Sequence, residues 1–159
     1  MFQRQNKITY YRKVDFVFYH EDEIRQAVLD AREDAMEISP RNGSGISDPT
    51  AYEAVRNLSP IPFVLIEGVK LEHPELWLTV IDETYAWCKR QGGLYYEIAR
   101  LRYSGEFYRS ICDKLLISEN AFYQTFREVR VYAALVAAQF HLIFVVPVPL
   151  ISVTQPRNS

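Results

Sequence analysis

Residues 103–140 read YSGEFYRSICDKLLISENAFYQTFREVRVYAALVAAQF. Tyr108, Ile111, Cys112 and Leu115 recur at i, i+3, i+4 and i+7, one face of a helix expected over about 106–115. Leu116-Ile117-Ser118 then forms a three-residue turn, and a second helix opens at Glu119. Ser118 is a natural N-cap, because its hydroxyl can accept a hydrogen bond from an amide of the next turn. Ile117 before that cap and Phe122 after it have the spacing of a hydrophobic staple, which fixes the angle at which the second helix departs. The arrangement is a helix-turn-helix.

The second helix carries Phe122, Phe126, Val129, Ala133, Val136 and Phe140 in steps of four and three, a single apolar stripe. Asn120, Gln124 and Arg127 step the same way on the opposite face, with Tyr123 and Arg130 beside them. Amide groups pair with adenine edges, and guanidinium groups with guanine or phosphate. The first turn of such a helix reaches deepest into a major groove. The expected base-facing set is therefore Asn120, Tyr123, Gln124 and Arg127. Arg109, Lys114, Ser118 and Arg130 are the expected phosphate contacts.

The segment Ile111-Cys112, Leu115, Ile117-Ser118 and Phe122 resembles the helix-turn-helix of sigma-70 region 4. The fuller run ICDKLLISENAFYQTFREVRVYAALVAAQFHLI, 111–143, resembles the RinA/ArpU-type late-gene transcriptional activators of phages and prophages. Looser matches lie at Val14-Asp15 and Tyr19, at Asp48-Pro49-Thr50-Ala51, and at Pro74-Glu75-Leu76-Trp77-Leu78, so the likeness extends over about 14–143. It implies a transcription regulator of phage type. Such a protein binds double-stranded DNA in the cytoplasm of a bacterial host, activates late genes and contacts RNA polymerase. One residue departs from the pattern: Leu116 stands where the turn often has Gly. Leucine takes a positive φ only at a cost, so a differently built turn is expected.

Two other readings stay open. A small-terminase-like packaging protein would share the motif but assemble as a ring. A helical protein-interaction module would bury Asn120, Gln124 and Arg127 rather than expose them.

The rest of the chain reads as mainly α. Residues 8–19, after a polar start, suit a short helix with Tyr10, Val14, Val17 and Phe18 on one face, although their β-branched and aromatic content would also suit a strand; the family likeness favours the helix. Glu21, Asp22 and Glu23 open a second helix, since acids suit the positive end of the helix dipole. Its stripe of Ile24, Val28, Ala31, Ala35 and Ile38 would also suit a coiled-coil seam, which leaves room for a homodimer. Residues 41–47 form a loop without phosphate-binding spacing. Asp48-Pro49 caps a helix to about residue 58, and Ser59-Pro60 ends it. Glu67-Gly68 between short apolar runs suggests a β-hairpin over 63–71. Pro74 starts a helix with Leu76, Trp77, Val80, Ile81, Thr84, Trp87 and Cys88 on its apolar face, stopped at Gly92-Gly93. Residues 94–102 form another, with Tyr95, Ile98 and Leu101 inward. Three regions result: a helical 1–59, a DNA-binding 60–145 and an extended tail 146–159.

The chain has 159 residues, 48% of them hydrophobic and 14% aromatic, enough for a compact core. Its formal charge of −2 excludes a protein held to nucleic acid by bulk charge alone. Locally the balance differs, with eight basic residues against five acidic ones between Lys89 and Arg130. Two cysteines, each in an apolar helical pattern, suggest reduced thiols and no disulfide scaffold. The apolar stretch 131–153 is long enough to cross a bilayer. However, Pro147 and Pro149 break helical hydrogen bonding, so no membrane association is expected. His20, His73 and His141 sit in different elements. No metal site, cofactor or enzymatic constellation is expected.

Overall fold

The computed structural model describes residues 2–37 and 59–144, with side chains from 11–35 and 59–144. Among them the chain is mainly α, with one small antiparallel hairpin. The expected helix over 48–58, the loop 41–47 and the tail 146–159 lie outside the described residues.

Helix α1, Phe2–Tyr19, is longer than expected and takes in the polar start. Val14, Val17 and Phe18 face inward as their spacing requires. Helix α2, Glu21–Glu37, begins one residue later with its three acids in the first turn. The His20 carbonyl accepts from the Ile24 amide at 2.9 Å, and its ring meets Glu23 at 2.8 Å. Half of the α2 stripe is seen inside the chain, and Ile38 lies outside the described residues. Ile24 and Val28 are buried on the hairpin and the following helix, while Ala35 is exposed.

Strands β1, Phe63–Ile66, and β2, Val69–Glu72, pair with Val64 opposite Leu71 and Leu65 opposite Lys70. Glu67 and Gly68 turn the chain with φ of 47° and 79°. Two consecutive positive φ values make the primed turn whose twist matches that of the strands, and glycine supplies the second at no steric cost. A hairpin this short is marginal alone. Here Val64, Ile66 and Leu71 enter the core against α2.

Helix α3, Pro74–Gln91, starts on its proline, whose missing amide hydrogen is not needed there. Trp77, Val80, Ile81, Thr84 and Cys88 are buried, whereas Leu76 sits outside the face expected for it. Gly92, at φ 133°, turns the chain into α4, Gly93–Tyr103. Helix α5, Tyr108–Leu115, is two residues shorter at its start than expected, and α6 spans Glu119–Gln139.

The main core joins Val14, Val17 and Phe18 of α1 to Trp77, Val80 and Ile81 of α3 and to Ala133, Val136 and Ala137 of α6. Segments on both sides of the expected 59/60 boundary share it. A second, smaller core gathers Ile98, Ile111, Cys112 and Phe122 from α4, α5 and the start of α6. Helix α6 is therefore rooted at its C-terminal half, and its first turns rest mainly on α4 and α5. Both cysteines are buried and free, and burial pushes the Cys88 thiol up to about 11. Among the described residues no helix is long and apolar enough to cross a membrane.

Candidate nucleic-acid interface

The turn between α5 and α6 departs from expectation in an informative way. Leu116 adopts the left-handed conformation itself, φ 53° and ψ 45°. Its amide and that of Ile117 both return to the Cys112 carbonyl, the latter at 3.1 Å. A helix end closed by this wider loop-back bond is a Schellman motif, and its usual apolar contact is supplied by Ile117 against the α5 core. The turn is thus the ordinary one, built with an unfavourable residue. Leu116 is 92% exposed, so no packing compensates the backbone cost. Leu116→Gly should raise the unfolding free energy by about 1 kcal/mol. Urea denaturation checks this, and a loss of stability would mean that the leucine has a contact outside the described residues.

Ser118 caps α6, its Oγ accepting from the Ala121 amide at 3.2 Å. Ile117 and Phe122 share the second core, as a staple requires. With Phe122 only 1% exposed, the helix has a single orientation. Asn120, Gln124 and Arg127 face outward, and none makes a hydrogen bond or ion pair with a described residue. Tyr123 is 49% exposed, its ring 5.5 Å from that of Tyr108.

The four expected phosphate contacts are placed differently from one another. Arg109 is exposed, its Nε donating to the Tyr108 hydroxyl at 3.1 Å, with Glu119 at 3.9 Å. Lys114 pairs with the Glu106 carboxylate. The Ser118 hydroxyl is occupied as the cap. Arg130 is turned inward, so its expected role is revised. Its Nη2 and Nε donate to the two Asp15 oxygens at 2.6 and 3.1 Å, and its guanidinium lies over Tyr11 at 4.5 Å and Phe126 at 5.6 Å. Asp15 also accepts from the Tyr103 hydroxyl at 3.0 Å. Burial, and then the Asp15 charge, hold the Tyr103 phenol well above its ordinary pKa, so it remains a donor. The cluster ties α1 to α4 and α6.

Tyr11 is the residue that sequence reasoning missed. With Tyr123, Phe126, Arg127 and Arg130 it lines a groove of about 460 Å³ between α1 and α6. No spacing rule links positions this far apart. The only local signal was the aromatic-basic run Tyr10-Tyr11-Arg12-Lys13. Two tyrosines of the segment between Lys89 and Arg130 have structural roles. Tyr103 is buried, and the Tyr95 hydroxyl donates to Glu128 at 2.5 Å.

Away from this face, His20, Glu23 and Glu67 bring ligand-type atoms within 4.8 Å of one another. The two ring nitrogens face different carboxylates, Glu23 at 2.8 Å and Glu67 at 3.8 Å. That geometry suits a bridge between α2 and the hairpin turn. The sequence, with its three histidines in different elements, could not place Glu67 beside His20. Set against known proteins, the chain matches no family model, no curated protein and no solved structure.

Proposed function

We propose that this chain is a sequence-specific, double-stranded DNA-binding transcriptional regulator that lays the first turns of α6 in the major groove. The observation that carries the reading is the exposed row of Asn120, Gln124 and Arg127, without partners among the described residues, behind a serine cap on a helix whose stripe of Phe122, Val129, Ala133 and Val136 is buried. Buried amides would have cost free energy without partners, and exposed ones cost nothing until a base edge meets them. Tyr123 completes the base-facing set. Arg109 and Lys114 at α5, together with the Ser118 turn, are the proposed contacts to the duplex backbone. Charge here is modest, so affinity should be moderate and should fall steeply with salt.

The likeness to RinA/ArpU-type activators and to sigma-70 region 4 supplies the proposed setting. That setting is a phage or prophage regulator in a bacterial cytoplasm, activating late genes and touching RNA polymerase. Selection from a random duplex pool tests the reading. Wild-type protein should enrich one motif. Asn120→Ala and Gln124→Ala should each flatten it at one or two positions, by about 1–3 kcal/mol of discrimination. An identical motif from both variants would take the amides out of the interface.

A further inference from the structure

We propose that the groove between α1 and α6 receives one unpaired base of the nucleic acid, so that the protein prefers a duplex with a locally opened strand. The inference rests on the reading of α6 as a DNA-contacting helix and adds a second kind of contact to it.

The groove's walls are flat and aromatic: Tyr11 from α1, and Tyr123 and Phe126 from α6. Arg130, neutralised by Asp15, lies over Tyr11 and Phe126, so the planar surfaces left to a ligand are its guanidinium and the ring faces it does not cover. Such a surface suits a base better than a phosphate. Arg127, which also lines the groove, has no partner among the described residues, so its guanidinium is available to the phosphate of the same nucleotide. Volume is not limiting, since about 460 Å³ falls within the range of small-molecule sites.

Position decides whether the base is paired. At about 1.5 Å of rise per residue, Arg127 lies about 10 Å along the axis from Asn120. The first turn is the part that reaches base edges. A cleft that extends two turns further back, beyond the edges that Asn120 and Gln124 reach, would meet a base swung out of the stack. Extraction of a paired base is costly, and an already unpaired one escapes that cost. Tyr123 and Arg127 belong both to the groove and to the base-facing row, so the two contacts are continuous.

The test uses the duplex enriched by the wild-type protein, either intact or carrying beside the enriched motif an unpaired loop that contains 2-aminopurine. Both are titrated with the full chain at fixed salt. The opened duplex should bind about tenfold tighter, and its aminopurine should lose fluorescence on stacking. Tyr11→Leu should abolish both effects while leaving affinity for the intact duplex unchanged, and Tyr11→Phe should retain them. Equal affinity for the two duplexes with unchanged fluorescence overturns this inference alone. A preference that survives Tyr11→Leu in a folded variant removes the groove as its site. Failure to bind either duplex overturns the DNA-binding reading along with it.

Discussion

Trp77→Ala should cost about 3–5 kcal/mol of unfolding free energy, the range for removing a fully buried large aromatic side chain. Trp77 is completely buried at the centre of the main core, where α1, α2, the hairpin, α3 and α6 converge. Its truncation would leave a cavity bounded by elements that are also held apart by their other contacts. The indole also carries a handicap. Its Nε1–H is buried and finds no hydrogen-bond acceptor among the described residues. Trp77→Phe keeps a flat apolar ring and discards that unsatisfied donor, which offsets part of the lost volume. It should therefore cost no more than about 1–2 kcal/mol. Urea midpoints at constant m separate the two variants. If Phe were as damaging as Ala, the indole N–H would have to be paired.

Asp15→Ala should cost about 2–4 kcal/mol, a little below the loss expected for breaking a fully buried ion pair. The discount follows from exposure, since the Asp15 and Arg130 side chains keep 24% and 29% of their surface. What remains is still large, because one carboxylate serves three donors. Its loss strands the buried Tyr103 hydroxyl and leaves Arg130 over two rings without a counter-charge. Arg130→Lys should be nearly as harmful, because an ammonium cannot make the paired bonds of a guanidinium. Thermal unfolding measures both variants. The same pair carries a functional control. Arg130 is committed internally, so Arg130→Ala should leave the slope of log affinity against log salt unchanged, whereas Arg127→Ala should lower it by about 1.

Residues whose structure follows from near neighbours were readable from the sequence. Pro74 at a first helical turn, Ser118 as a cap, the acids opening α2 and the Glu67-Gly68 turn each depend on groups a few positions apart. The inward stripe of α6 was equally plain, because one periodicity runs through six apolar residues. The mainly helical fold with its small hairpin follows from these. Other features depend on partners that only the fold brings together. Arg130 read as an outward cation because Asp15, which captures it, lies 115 residues earlier. Leu116 read as an obstacle to the turn. Yet two returning amides and the Ile117 contact hold it in a conformation that its own side chain disfavours. The polar start of α1 offered no cap and no strong apolar face, so its true length was not legible. Tyr11 carried no signal until α1 was laid beside α6.

The central claim is that the outward row of α6 reads a duplex. Its most direct test is an equilibrium titration at fixed salt, using the duplex enriched by the wild-type protein. Wild type, Gln124→Ala and Arg127→Ala would be compared, each shown to be folded by its unfolding transition. Both variants should lose about 1–3 kcal/mol on that duplex. Gln124→Ala should keep its affinity for unrelated sequence, and Arg127→Ala should bind all duplexes more weakly. If both folded variants bind the enriched duplex as wild type does, the row does not touch DNA and the account is wrong.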